Sequence, residues 1–211
     1  MNDTNQNKIS PIFMPDNEPY LGRESVFHYD QTIVSCMEAN ADVAKYTQHN
    51  LNNLSDLQKA ATQIIPQGIN ISLSIRELVR QGYLFSALVL IRPLIERAAI
   101  ISYLHAYPEE VTTWENGWKF KERPSLSQML DTMSGQADIK EAKKICEFFG
   151  HIVHGDPIGA EWNMVSTQSG GLGYSTGKIL NDPELCDFIC FQSYLYLIVL
   201  MGMMAACFPK S

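Results

Sequence analysis

Two long segments that are apolar on nearly every side constrain the fold of this chain more than any other feature. The first runs from Tyr83 to Tyr107, and the second runs from Phe188 to Phe208. A helix without a polar face must be covered all round, so it belongs in the centre of a protein or in a membrane. The rest of the chain must therefore supply helices that can cover these two segments.

Apolar residues that recur every three or four positions indicate these covering helices. The pattern predicts helices at about 24–50, 55–81, 125–133 and 137–154. Pro66 and Gly68 lie inside the second of them and predict a kink or a short break. Pro93 should bend the central apolar helix, because proline lacks a backbone N–H donor. We therefore predict an all-α fold, a helical bundle of five to six main helices.

Two parts of the chain fall outside this pattern. Residues 1–22 are rich in proline and predict an irregular N-terminal arm, which leaves 23–211 as a single helical-bundle domain. Residues 155–181 hold six of the 13 glycines. The sequences EWNMVST and YSTGKIL flank the glycine-rich QSGGLG, so this stretch predicts a glycine-rich loop or a small β-hairpin.

Composition excludes several classes of protein. The chain has 211 residues, a net charge of −7 and only 18% charged residues, against about 25% in an average soluble protein. It is therefore neither a disordered chain nor a polybasic nucleic-acid arm. Five cysteines without CxxC spacing form no disulfide framework and no zinc ribbon. We expect a cytoplasmic protein, because its N-terminus lacks the apolar core of a secretory signal.

The second apolar segment leaves two alternatives open. It carries no charge over about 21 residues, which is long enough for a tail anchor. Its uniformly apolar part, Leu197 to Phe208, is about 12 residues long and is typical of a buried core helix. We favour the core helix and expect no stable membrane insertion. Two such helices need more cover than one small bundle supplies, so we predict a homodimer with Met201 to Met204 at its interface or in the adjoining core.

The first candidate site lies in the middle of the central apolar helix. Arg92, Glu96 and Arg97 are charged residues in an otherwise apolar segment. Arg92 and Glu96 are four apart and share a helix face, so they could form an internal ion pair that fixes how helices meet. Alternatively, the three residues line a ligand-binding pocket in which arginine holds a phosphate or a carboxylate.

The second candidate site is the segment His151-Ile152-Val153-His154-Gly155-Asp156. Its histidines could simply favour the negative end of a helix, with Gly155 as the cap. They could instead carry general acid–base chemistry, with Asp156 orienting an imidazole. Two histidines three apart could also bind a metal, although only Glu96, His105 and His28 are available as a third strong ligand. The glycine-rich loop does not match a P-loop, since Leu172 replaces the required first glycine, and we predict no cofactor.

The apolar helix ALVLIRPLIERAAIISYL, followed by a later helix that ends in H-x-x-H-G, resembles a group of bacterial HEPN-like domains of unknown function. These are helical bundles, often dimeric, found in toxin–antitoxin and abortive-infection systems. The resemblance covers about 55–208. It implies a role in stress or phage defence, with RNA or an antitoxin-like protein as a possible partner.

Active members of this group are metal-independent ribonucleases with an arginine four to six residues before a histidine. The resemblance assigns that histidine to His154, but the window before it holds Phe148, Phe149 and Gly150. The window before His151 also lacks a basic residue. We therefore predict a binding or regulatory module without nuclease activity. One alternative is a diverged ribonuclease that uses His151, His154 and Arg92, and another is a metal-dependent helical enzyme.

Overall fold

The fold is an all-α bundle with one small hairpin, as the sequence predicts. The structure, a computed structural model, describes residues 18–119, 121–133, 139–154, 156–166, 170–174 and 181–209. The helices are α1 Glu24–His49, α2 Asp56–Arg80, α3 Leu84–Ala106, α4 Val111–Glu115, α5 Leu126–Asp131, α6 Ile139–Val153, α7 Pro157–Ala160 and α8 Pro183–Cys207. The strands are β1 Met164–Ser166 and β2 Leu172–Tyr174. Most of the predicted arm, 1–17, lies outside the described residues.

Local sequence signals set where several helices begin. Ser55 caps α2 by accepting a hydrogen bond from the Gln58 backbone N–H, and the Gln58 side chain accepts one from the Ser55 N–H in return. Ser125 caps α5 through the same reciprocal pair. Asp182 accepts from the Leu185 N–H at the start of α8. These caps satisfy backbone donors that have no partner inside the helix.

The core forms where α1, α2, α3 and α8 pack together. α1 and α8 run parallel, because three contacts join them in steady register: Ser25 with Asp187, Cys36 with Leu197, and Tyr46 with Phe208. α2 runs opposite to both, since the Tyr29 hydroxyl donates to the Ser72 carbonyl near one end and the Gln58 amide donates to the Cys207 carbonyl near the other. α3 is the most buried helix, with Leu88, Ile91 and Leu94 fully covered.

α2 continues unbroken through Pro66, so the short break that we considered does not form. Ile65 and Ile69 on either side of the proline are buried in the core. Their packing outweighs the lost backbone hydrogen bond, which costs about 3 kcal/mol in a helix interior. Gly68 allows a close approach between helices, because a Cβ atom there would collide with the buried side chain of Leu200.

The predicted hairpin is present among the described residues, but its first strand begins at Met164, because Glu161–Asn163 forms a 3₁₀ turn. β1 and β2 pair antiparallel with Val165 opposite Gly173, so only the first residue of YSTGKIL belongs to a described strand. The short helix α7 and the 3₁₀ turn at Glu161–Asn163 precede the hairpin and were not predicted. Gly155, the expected helix cap, lies outside the described residues.

α8 is the one helix among the described residues that is long and apolar enough to cross a membrane. In its most apolar 18-residue window, 44% of the residues are buried against the rest of the protein. Core helices of soluble proteins have the same length and composition, so this property alone assigns no location.

Candidate functional site

An open cavity of about 430 Å³ lies between α3, α5 and α6. It brings together four of the residues selected from the sequence, which are Arg92, His151, His154 and Asp156. The cavity also has lining residues that the sequence did not indicate: Leu126, Ser127, Leu130, Lys143, Cys146, Glu147 and Gly150. The two separate candidate sites thus meet in one pocket with an apolar wall and several ionisable groups.

Arg92 is the most deeply set of the charged lining residues, with 23% of its side chain exposed. Its Nε donates to Glu96 Oε1 over 3.3 Å. Within the described part of the chain, neither Nη group has a protein acceptor. By contrast, Arg76 donates through Nε and Nη2 to both carboxylate oxygens of Asp30. The Arg92 guanidinium therefore keeps donors in a fixed planar geometry that can hold a phosphate or a carboxylate.

Gly150 on α6 makes room for this guanidinium. A Cβ atom at position 150 would lie 2.5 Å from Arg92 Nη1, well inside van der Waals contact. Gly150 lies in the last turn of α6, where glycine still costs up to about 1 kcal/mol relative to alanine, so helix stability does not explain its presence. The close approach of Arg92 explains it.

His151 and Asp156 form a hydrogen-bonded pair at the end of α6. The distance between His151 Nδ1 and Asp156 Oδ2 is 2.5 Å, and both side chains are about half exposed. A carboxylate on Nδ1 fixes the orientation of the imidazole and leaves Nε2 available to a ligand. His154 is exposed one turn later, at the rim of the same cavity.

The remaining ionisable lining groups do not give the pocket an excess of positive charge. Lys143 pairs with Asp131 on α5 over 2.8 Å. Glu147 is exposed on α6 and lies on the same wall. Arg92 and Lys143 face four carboxylates, because Glu96 and Asp131 pair with them and Glu147 and Asp156 also line the pocket. Binding of an anionic group therefore depends on the free Nη donors of Arg92 and not on an excess of positive charge.

Cys146 is a poor candidate for a nucleophile. Its side chain is buried, and burial raises the pKa of the thiol to about 11, assisted by Glu96 and opposed by Arg92. A thiol with that pKa is protonated at neutral pH, whereas the thiolate is the reactive form.

Two predicted ligand residues do not line the cavity. Glu96 turns to Arg92 and forms the ion pair that the sequence allowed. Arg97 points to α2 instead, where its Nε donates to Gln67 Oε1 over 2.8 Å. Arg92 and Arg97 are five residues apart, which places them about 140° apart around a helix with 3.6 residues per turn. Arg92 therefore faces the cavity beside α6, whereas Arg97 faces α2.

A metal centre receives no support from the described residues. No three His, Cys, Asp or Glu side chains among them could hold one ion together. Of the three possible extra ligands, Glu96 pairs with Arg92, His28 contacts Glu24, and His105 lies in the last turn of α3.

Comparison of the chain with protein-family models, curated proteins and solved structures finds no match in any of the three. The resemblance to HEPN-like domains therefore stays a prediction, and the function is argued from the pocket itself.

Replacing Gly150 by alanine is expected to displace the Arg92 guanidinium. The end of a long side chain can move aside, so we expect the free energy of unfolding to stay equal or to rise by up to about 1 kcal/mol, through helix propensity. Affinity for a phosphate-bearing ligand should fall about tenfold, since the moved donors lose about 1.4 kcal/mol of binding. Urea denaturation and phosphate titration separate the two effects. An unchanged affinity would show that Gly150 does not position Arg92 for binding.

Proposed function

We propose that this protein is a binding module that holds a phosphate-bearing ligand in the pocket between α3, α5 and α6. The observation that carries the proposal is the half-buried Arg92, whose Nη donors have no acceptor among the described residues and whose neighbours include His151 and His154. Arginine and imidazole donors are the groups that most often bind phosphate oxygens. The resemblance to HEPN-like domains adds a regulatory role in bacterial stress or phage defence, with RNA or an antitoxin-like protein as the partner.

The two walls of the pocket suit different parts of such a ligand. Leu126 and Leu130 on α5 form an apolar wall, while Arg92 and the two histidines form a polar one. A nucleotide has a similar division, because the faces of its base are apolar and its phosphate is charged. Single-stranded RNA exposes both parts, whereas a duplex hides its bases.

The proposal predicts RNA binding without RNA cleavage. Purified protein should raise the fluorescence anisotropy of a labelled, short single-stranded RNA, and the RNA should remain intact on a denaturing gel. The physical reason is that neither histidine has a basic residue at the nuclease spacing. Metal-independent cleavage that His154→Ala abolishes would contradict this proposal. A failure to bind RNA, inorganic phosphate or nucleotides would contradict it as well.

One observation favours a diverged metal-independent ribonuclease as the second candidate. His151, held by Asp156, lines the same cavity as His154 and Arg92. In such a reaction one imidazole takes the proton of the 2′-hydroxyl, whose oxygen attacks the phosphorus. The second imidazole protonates the departing 5′-oxygen, and arginine stabilises the phosphorane. Cleavage that persists in chelator and is lost in both His151→Ala and His154→Ala would support this candidate.

A further inference from the structure

An uncharged apolar strip runs along the outer side of α8. Phe191 is 54% exposed. Leu195 and Ile198 are half-buried, and Gly202 and Ala205 are exposed. No charged residue occurs in α8 after Asp187. Phe191 is the large apolar side chain of α8 that is mostly exposed, and the uncharged surface continues from it along the helix.

The spacing of the strip matches another helix. Phe191, Leu195, Ile198, Gly202 and Ala205 follow one another at intervals of four, three, four and three residues. This alternation keeps apolar residues on one line along a helix and is the spacing of a coiled-coil seam.

The strip is also complementary to itself. It has a large side chain at one end, Phe191, and small residues at the other, Gly202 and Ala205. A Cβ atom added at Gly202 would meet no heavy atom within 4 Å, so the backbone is open there to close approach. If two copies meet antiparallel with Ile198 at the two-fold axis, Phe191 faces the region of Ala205 and Leu195 faces that of Gly202. Large residues then lie opposite small ones, as close packing requires.

We propose that α8 forms an antiparallel, two-fold symmetric seam with α8 of a second copy of this chain. A two-fold interface uses the same surface patch on both partners, so its two halves must be complementary to each other. The strip meets that condition and carries no like charges that would repel across the axis. This proposal is independent of the ligand pocket.

The surroundings of the strip can extend the contact. A hollow of about 240 Å³ between α1 and α8 is lined by Ser25, His28, Phe191 and Tyr194. α1 and α8 are each about 37 Å long and together about 20 Å wide, so their outer face covers about 700 Å². A specific interface needs at least about 1,000 Å² in total, which is about 500 Å² on each partner. The face is therefore large enough for a specific dimer.

The methionines predicted to lie at the interface or in the adjoining core divide between the two. Met201 borders the strip, whereas Met204 lies in the core.

Insertion of α8 into a membrane is less consistent with the packing. The opposite side of the helix is fully buried against α1, α2 and α3 through residues such as Ile189, Leu197 and Leu200. A membrane span would have to leave that core and expose it. A second copy covers the strip without any such change.

The mass of the full-length chain in solution tests the proposal. Sedimentation at micromolar concentration should show twice the 23.8 kDa chain mass. Gly202→Leu should fold normally, because the position is open, but should sediment as a monomer, because its side chain collides with the partner helix. Ala41→Leu, at an exposed position on α1, is the matched control and should stay dimeric. A monomeric wild type, or a dimer that Gly202→Leu leaves intact, would refute the seam.

Engineered cysteines test its direction. The five native thiols are buried, so introduced ones provide the reactive sites. Ile198→Cys should cross-link to its symmetry mate under mild oxidation. Phe191→Cys alone should not, because the two copies of this residue would be about 21 Å apart along an antiparallel pair. The double variant Phe191→Cys with Ala205→Cys should cross-link. Efficient cross-linking of Phe191→Cys alone, or flotation of monomeric wild type with phospholipid vesicles, would overturn the proposal.

Discussion

Replacing Arg92 by alanine is expected to weaken binding of single-stranded RNA or inorganic phosphate by about 10- to 100-fold. A hydrogen bond to a charged group contributes about 1.5 to 3 kcal/mol, and each 1.4 kcal/mol is a factor of ten in affinity. Arg92 pairs with Glu96 through Nε alone, and its Nη donors have no acceptor among the described residues, whereas Lys143 pairs with Asp131. Fluorescence anisotropy with labelled RNA and calorimetry with phosphate would both report the loss.

Arg97 supplies a matched control on the same helix. It is half-buried like Arg92, but it donates to Gln67 and does not line the cavity. Arg97→Ala should leave the affinity unchanged. Arg92→Lys should give an intermediate affinity, because lysine keeps the charge but loses the planar pair of donors. An equal loss in Arg92→Ala and Arg97→Ala would point to general charge attraction and would contradict the assigned pocket.

Replacing Arg76 by alanine should lower the free energy of unfolding by about 1 to 3 kcal/mol, because its ion pairs are only partly buried and water screens the Asp30 partner. Arg76 on α2 forms ion pairs with Glu18 of the N-terminal segment and with Asp30 of α1. Its Nη2 lies 2.5 Å from Glu18 Oε1, and its Nε lies 2.5 Å from Asp30 Oδ1. Burial lowers the pKa of its guanidinium, but hydrogen bonds and charge from Asp30 and Glu18 outweigh burial and hold it above the ordinary value. Removal of the arginine leaves the poorly solvated Glu18 carboxylate without its cation, whereas Asp30 remains 40% exposed to water.

Urea denaturation of Arg80→Ala provides the comparison for this effect. Arg80 lies one turn further along α2 and pairs with Glu77, but both side chains are largely exposed. Exposed ion pairs contribute little, because water screens them. The urea midpoint of Arg80→Ala should therefore stay close to that of the wild type. Similar midpoints for Arg76→Ala and Arg80→Ala would contradict the structural role of the ion pairs around Arg76.

The sequence predicts the main helices well because each has a strong apolar period or a clear cap. The start of α2 at Ser55 and that of α8 at Asp182 follow directly from side-chain capping. The sequence does not predict whether Pro66 breaks α2, because the outcome depends on burial against α8, which is far away in the chain. α7 has four residues, too few for a period.

The candidate site was predicted in part. Charged residues in an apolar helix mark Arg92, and the paired histidines mark His151 and His154. Their meeting in one cavity is required by the ribonuclease alternative, but the sequence alone does not establish it, because it depends on how α6 packs against α3. Gly150 carries a usable signal, since glycine inside an amphipathic helix suggests a close approach. Leu126 and Lys143 carry none, because an apolar and a basic residue occur on most amphipathic helices.

The position of α8 in the core has a consequence for biosynthesis. α8 packs against α1, α2 and α3, yet about 100 residues separate the end of α3 at Ala106 from the end of α8 at Cys207. At about 5 to 20 residues per second, a ribosome needs about 5 to 20 s to make that stretch. During this time the nascent helices cannot bury the surfaces that α8 will cover. The emerging chain therefore exposes aggregation-prone apolar surface, which the chaperones that act on newly made proteins can bind.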